Sequence, residues 1–123
     1  MKVFNWKKTV PPNFKSVPEK GGVYVISTRQ ADHEYEAKYV GQTNNLRARA
    51  EEHWSKKEKN TKLREHIAEK YIMKFNYAEV EAGPERDGIE LYLFNTFEPP
   101  FNQNTPAGKA PLSCTVPDIR KYS

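Results

Sequence analysis

The sequence predicts an α+β fold, a small three-stranded antiparallel sheet flanked by helices, from three observations. Two short β-branched and aromatic runs, Gly22 to Ser27 and Ala37 to Gly41, are bounded by glycine and separated by a polar stretch, as in a hairpin. Residues 71 to 78 alternate Tyr71, Met73, Phe75 and Tyr77 with Ile72, Lys74, Asn76 and Ala78, the period of a strand with one more apolar face. Segments rich in helix formers surround them at 45 to 57, 61 to 70 and 87 to 97. A length of 123 residues suits one hydrophobic core without covalent staples. With 37% hydrophobic and 29% charged residues, that core has to be small.

Each helix has its own signal. Asn44 or Asn45 can cap the first, in which Leu46, Ala50 and Trp54 form one apolar stripe at about 100° per residue. Arg49 and His53 lie along an edge of that stripe, from which a long cation reaches either a cleft or, by snorkelling, plain solvent. The second helix, 61 to 70, turns Leu63 and Ile67 inward. Gly83-Pro84 marks a turn, and Asp87 is expected to cap the last helix, which stops before Pro99-Pro100. On that helix Ile89, Leu93, Phe94 and Phe97 form an apolar arc with Glu90 in its middle. A carboxylate aimed at a core requires a cation, a proton or water. The competing explanation is structural, because Asp87 and Glu90 also have capping-box spacing.

Residues 1 to 16 form an irregular lead-in, 17 to 102 the expected domain, and 103 to 123 a proline-containing tail. The net charge of +4 and pI of about 9.1 suit a polyanionic partner. The most basic stretch holds Lys56, Lys57, Lys59, Lys62 and Arg64, followed by Lys70 and Lys74, and reads either as a nucleic-acid contact or as a solvated face. Cys114 is the only cysteine, which excludes an internal disulfide and a cysteine zinc cluster. Residues 1 to 10 lack the apolar run of a secretory signal, and no stretch reaches membrane-spanning length. A reducing, cytoplasmic setting with no membrane partner is the expectation.

Taken in order, several motifs resemble the GIY-YIG nuclease family. Gly22-Val23-Tyr24 is similar to its first signature and Tyr39-Val40-Gly41 to its second, each with valine in place of isoleucine. Asn45-Leu46-x-x-Arg49 resembles the helix carrying the family's arginine, and His53 follows one turn later. Glu90, Pro99 and Asn102 resemble the metal-binding glutamate, the proline and the asparagine of its closing segment. The stretch between the two tyrosines is longer than usual, so an extended loop is expected around Asp32 to Glu36.

The resemblance implies a metal-dependent endonuclease that hydrolyses phosphodiester bonds, with DNA as the expected substrate. Tyr24, Tyr39, Arg49, His53, Glu90 and Asn102 would form its catalytic set, and Glu90 would hold one Mg²⁺ or Mn²⁺. Arg49 offers a planar, permanent charge for two phosphate oxygens. The resemblance leaves open which tyrosine is the base; Tyr24 is favoured, with Tyr39 holding water or phosphate. A phenol with a pKa near 10 needs help in that role. No sequence-reading module accompanies the motifs, so specificity has to come from substrate structure, a partner protein or a homodimer. The alternative is a catalytically silent member that binds nucleic acid or docks protein.

Overall fold

The computed structural model describes residues 2–69 and 71–120; Met1, Lys70 and residues 121–123 lie outside them. The chain runs β1 (Lys7–Thr9), β2 (Gly22–Arg29), β3 (Glu36–Thr43), α1 (Leu46–His53), α2 (Thr61–Ala68), β4 (Ile72–Glu79) and α3 (Pro84–Phe97). The strands form one antiparallel sheet in the order β1-β4-β2-β3. The α+β class and the hairpin are as expected, but among the described residues the sheet has four strands. The additional one comes from the lead-in, where Lys7, Lys8 and Thr9 pair with Tyr77, Asn76 and Phe75. Such a strand is invisible to hydrophobic pattern because its contribution is backbone pairing at an edge.

Register divides the chemistry between two faces. Tyr24 pairs with Gly41 and Tyr77, and Ile26 with Tyr39 and Phe75, so these side chains share one face. There they pack with Phe14, Val17, Leu46, Ala50 and Leu63, beneath α1 and α2. Val23 and Val25, opposite Gln42 and Val40, face the other way and meet Ile89 and Leu93 of α3. A bulge between Ile26 and Ser27 makes Lys38 the extra residue and returns Ala37 to the α3 side.

Helix ends follow local chemistry. Asn45 and Asn60 cap α1 and α2, accepting hydrogen bonds from the N–H groups of Ala48 and Leu63 at 3.0 and 3.2 Å. α1 ends at His53, short of the expected residue 57, and α2 ends at Ala68; the expected end at Lys70 lies outside the described residues. α3 begins earlier than predicted. Gly83 is its cap, Pro84 its first residue, and Asp87 lies inside the helix, where its N–H donates to the Gly83 carbonyl at 3.2 Å. The capping-box explanation of Asp87 and Glu90 therefore fails: proline occupies the position at which a missing N–H costs nothing.

Segments flanking the sheet on both sides of the sequence are woven into the molecule. Lys2 bridges Cys114, the Trp6 indole N–H donates to the Thr115 carbonyl at 2.9 Å, and Ile119 joins the α3-side core. Between these contacts the tail crosses α3 at Gly88, where an added Cβ would collide with the Lys109 carbonyl oxygen. Among the described residues no helix is long and apolar enough to cross a membrane.

Gly88 yields a test of this tail docking. In a free helix, Gly→Ala gains roughly 1 kcal/mol. Here the new methyl group meets backbone that cannot rotate away, so Gly88→Ala is expected to lower the melting temperature and expose residues after Pro106 to protease. A raised melting temperature with unchanged proteolysis would show that the tail does not press on α3.

Candidate active site

Because β3 is an edge strand, side chains from both faces of the sheet can meet beyond its free edge. A cleft of about 300 Å³ opens there. Tyr39, Arg49, Glu90 and Asn102 line it together with Glu58, Lys59 and Asn60. Arg49 arrives from α1 on the Tyr39 side of the sheet, and Glu90 from α3 on the opposite side. Four of the six residues singled out from sequence thus share one cavity, although three separate elements and a loop supply them.

Tyr24 and His53 form a layer underneath. Tyr24 is 1% exposed and stacks between Tyr39 and Phe75, with ring centroids 6.2 and 5.3 Å away. Its hydroxyl lies 2.8 Å from His53 Nε2, and the His53 ring meets Tyr39 edge-on at 5.1 Å. Burial, reinforced by Tyr39, pushes the Tyr24 phenol well above its ordinary pKa, and nearby Arg49 only partly offsets this. Burial likewise lowers the pKa of His53, against the pull of Glu58 in the other direction. At neutral pH the pair is therefore a phenol beside a neutral imidazole. A standing phenolate at Tyr24 is not what this environment favours.

Glu58 completes the layer. Its side chain is 2% exposed, and Oε2 lies 2.6 Å from His53 Nδ1 and 3.5 Å from an Arg49 Nη1. The His53 approach is at ion-pair distance without the alignment of a well-formed hydrogen bond. Oε1 accepts from the Asn60 N–H at 3.0 Å. Burial alone would raise its pKa, but His53, the Asn60 N–H and Arg49 hold it at about 2. Arg49 also pairs with Glu52.

Glu90 sits half-buried in a different network. The Gln42 amide N–H₂ donates to Asp87 Oδ1 at 2.7 Å and to Glu90 Oε1 at 3.1 Å. The Gln42 carbonyl accepts from Arg86 Nε at 2.8 Å, and Arg86 reaches Asn44 Oδ1 at 2.6 Å. Burial raises the pKa of Glu90, opposed first by the Gln42 bond. Asn102 is a clamp: it accepts from the Val40 N–H at 3.0 Å and donates to the Val40 carbonyl at 2.8 Å. It thereby pins β3 between Tyr39 and Gly41, and Phe101 N–H adds a bond to Lys38.

Of the five basic residues singled out from the sequence for nucleic-acid contact, one lines this cleft. Lys56, Lys57, Lys59, Lys62 and Arg64 are exposed; Lys59 lines the cavity, and Arg64 Nη1 donates to the Glu58 carbonyl at 3.3 Å. Sequence reasoning missed Glu58, Gln42 and Arg86. Gln42 follows the second signature directly and, by strand alternation, must face α3, so its signal was present. Glu58 had none, being one acid among lysines in an aperiodic loop.

The fold and cleft define an α+β domain that gathers a guanidinium, a phenol and a carboxylate at a sheet edge. A family model for the GIY-YIG catalytic domain matches residues 20–104. The chain belongs to that family, whose members are known as endonucleases and generally use divalent metal ions. No curated protein and no solved structure matches it.

The raised pKa of Glu90 gives a prediction with a definite sign. An acid whose folded pKa exceeds its ordinary 4.5 stabilises the fold when protonated, and that contribution is lost as pH rises through the folded value. Metal-free Glu90→Gln is therefore expected to melt with wild type below pH 4.5 and at the same or a higher temperature at neutral pH. A lower melting temperature at neutral pH would instead show that the ionised carboxylate, through its Gln42 hydrogen bond, supports the fold.

Proposed function

We propose that the chain is a metal-dependent endonuclease that hydrolyses nucleic-acid phosphodiesters, with DNA as substrate, in the cleft at the free edge of β3. The observation that carries this reading is the convergence of Arg49, Tyr39 and Glu90 on one cavity from opposite faces of the sheet.

The residues fit one divalent cation. Glu90 is a half-buried carboxylate held by a neutral amide, so it has a charge left to neutralise. Among the described residues no three His, Cys, Asp or Glu side chains form a metal-holding group. One carboxylate with water and substrate phosphate is the habit of Mg²⁺, and Mn²⁺ serves the same oxygen ligands. Bound at Glu90, the cation would polarise the phosphate and neutralise charge on the departing oxygen.

The chain's own groups do the remaining work. Arg49, held from α1 with one side open to the cleft, grips two phosphate oxygens as negative charge builds. Tyr39 orients the attacking water. Tyr24 takes a proton from that water while its phenol proton passes to His53 Nε2, which spares the buried ring a free phenolate. The hydroxide oxygen bonds to phosphorus, the ester bond to the departing oxygen breaks, that oxygen takes a proton from solvent, and His53 releases its added proton to solvent. Asn102 keeps β3 in place. Lys56, Lys57, Lys59, Lys62 and Arg64 contact the sugar-phosphate backbone beside the cleft. Specificity comes from substrate structure, a partner protein or a homodimer, and the setting is cytoplasmic.

A cleavage screen tests this. Purified protein with Mg²⁺ or Mn²⁺ is expected to cut at least one of single-stranded, duplex, flap and junction DNA or their RNA counterparts, and to stop cutting in excess EDTA. Undiminished cutting in EDTA would remove the metal from the account. Binding without cutting under every condition would make the chain a silent docking module.

A further inference from the structure

We infer that Glu58 is a positioning residue of this reaction, fixing His53 in the tautomer that accepts the Tyr24 proton and tethering Arg49 at the cleft wall. The inference rests on the nuclease reading above.

Burying an ionised carboxylate is expensive unless several donors meet it. Glu58 sits in the connection between α1 and α2, and its two oxygens do different things. Oε1 takes the Asn60 N–H, two residues on, which is a local loop bond. A loop staple would need nothing more. Oε2 is turned to His53 Nδ1 and Arg49 Nη1, the two groups through which α1 reaches Tyr24 and the cleft.

An ionised carboxylate only accepts hydrogen bonds, so the ring nitrogen facing it carries the proton. Nδ1–H toward Glu58 leaves the Nε2 lone pair toward the Tyr24 hydroxyl at 2.8 Å. The opposite tautomer would set a bare nitrogen against the carboxylate and an N–H against the phenol, and no proton could leave Tyr24. When the imidazole does gain a proton, the charge forms directly beside Glu58. The arrangement is that of a base oriented by a third group. The charged and titratable groups facing His53 are Tyr24 from β2, Tyr39 from β3, Arg49 and Glu52 from its own helix, and Glu58 from the loop.

Arg49 is fixed by the same carboxylate. Glu52 holds it from α1 and Glu58 from the loop, so two carboxylates restrain the guanidinium on its long stem. Glu58 thus links phosphate binding to proton transfer.

The experiment compares wild type, Glu58→Gln and Glu58→Asp by imidazole nitrogen NMR on the metal-free chain and by pH profiles of kcat and KM with Mn²⁺. Wild-type His53 is expected as the Nδ1–H tautomer, and Glu58→Gln should lose that preference. Its kcat should fall on the order of tenfold or more with KM little changed. Removing a negative charge lowers the His53 pKa further, so the acid limb of the kcat profile should move to lower pH. Glu58→Asp, which keeps the charge, should recover part of kcat and return the limb toward wild type. Wild-type His53 as the Nε2–H tautomer would overturn the inference even if Glu58→Gln does not fold. So would a Glu58→Gln protein whose kcat and acid limb match wild type, or one that merely melts earlier with the limb unmoved. Wild type that cuts no substrate, with the Nδ1–H tautomer observed, would instead overturn the nuclease reading and with it the catalytic use of Glu58.

Discussion

The Tyr24 ring lies over Gly41, and much of the site depends on that contact. The two residues are directly paired across β2 and β3, and a Cβ at position 41 would run into the phenol end of the ring. Because the space is empty, the hydroxyl crosses the edge strand and meets His53 of α1. That bond, with the stacking of Tyr24 between Tyr39 and Phe75, sets where α1 lies on the sheet. Arg49 is one turn earlier on α1, so its approach to the cleft follows from the same contact. The glycine of one signature and the tyrosine of the other are therefore a single packing unit.

Around this unit the protein places ionisable groups where burial works against them. Tyr24 is pushed toward its neutral form, His53 toward neutral imidazole, and Glu90 toward the protonated acid, each mainly by desolvation. Glu58 is drawn strongly the other way, because a ring nitrogen, a backbone N–H and a guanidinium converge on it. Charging any of the first three works against the fold, whereas the ionised Glu58 supports it. The bulk of the stability comes from two apolar layers, Leu46, Leu63 and Phe75 on one face and Val25, Ile89 and Leu93 on the other. Displaced pKa values clustered in a cleft are a pattern associated with chemistry more than with packing.

How much was legible in the sequence depended on whether a feature was periodic. The hairpin, the Leu46-Ala50 stripe and the inward arc of α3 all repeat at strand or helix spacing, and they lie where those periods place them. β1 was hidden because Lys7, Lys8 and Thr9 bury no apolar face and contribute only backbone pairing. The start of α3 was misread because Asp87 looks like a cap, whereas Pro84 begins the helix a turn earlier. At the cleft, Tyr39, Arg49, Glu90 and Asn102 were found through motif order, and the structure brings them together. Glu58 was not, since its partners are set by how a short loop folds back on α1. The tail was legible only as a proline-containing segment, because Ile119 carries no repeating signal of its place in the core.

The central claim is that Arg49 faces a phosphate in a working cleft and does not merely shield the surface of α1. Replacing it with lysine keeps the charge and removes the planar fork. The most direct measurement is the single-turnover cleavage rate of Arg49→Lys beside wild type, with the melting temperature of each recorded. A rate reduced on the order of tenfold or more at nearly unchanged melting temperature is the predicted result. A variant that cleaves as fast as wild type would contradict the account.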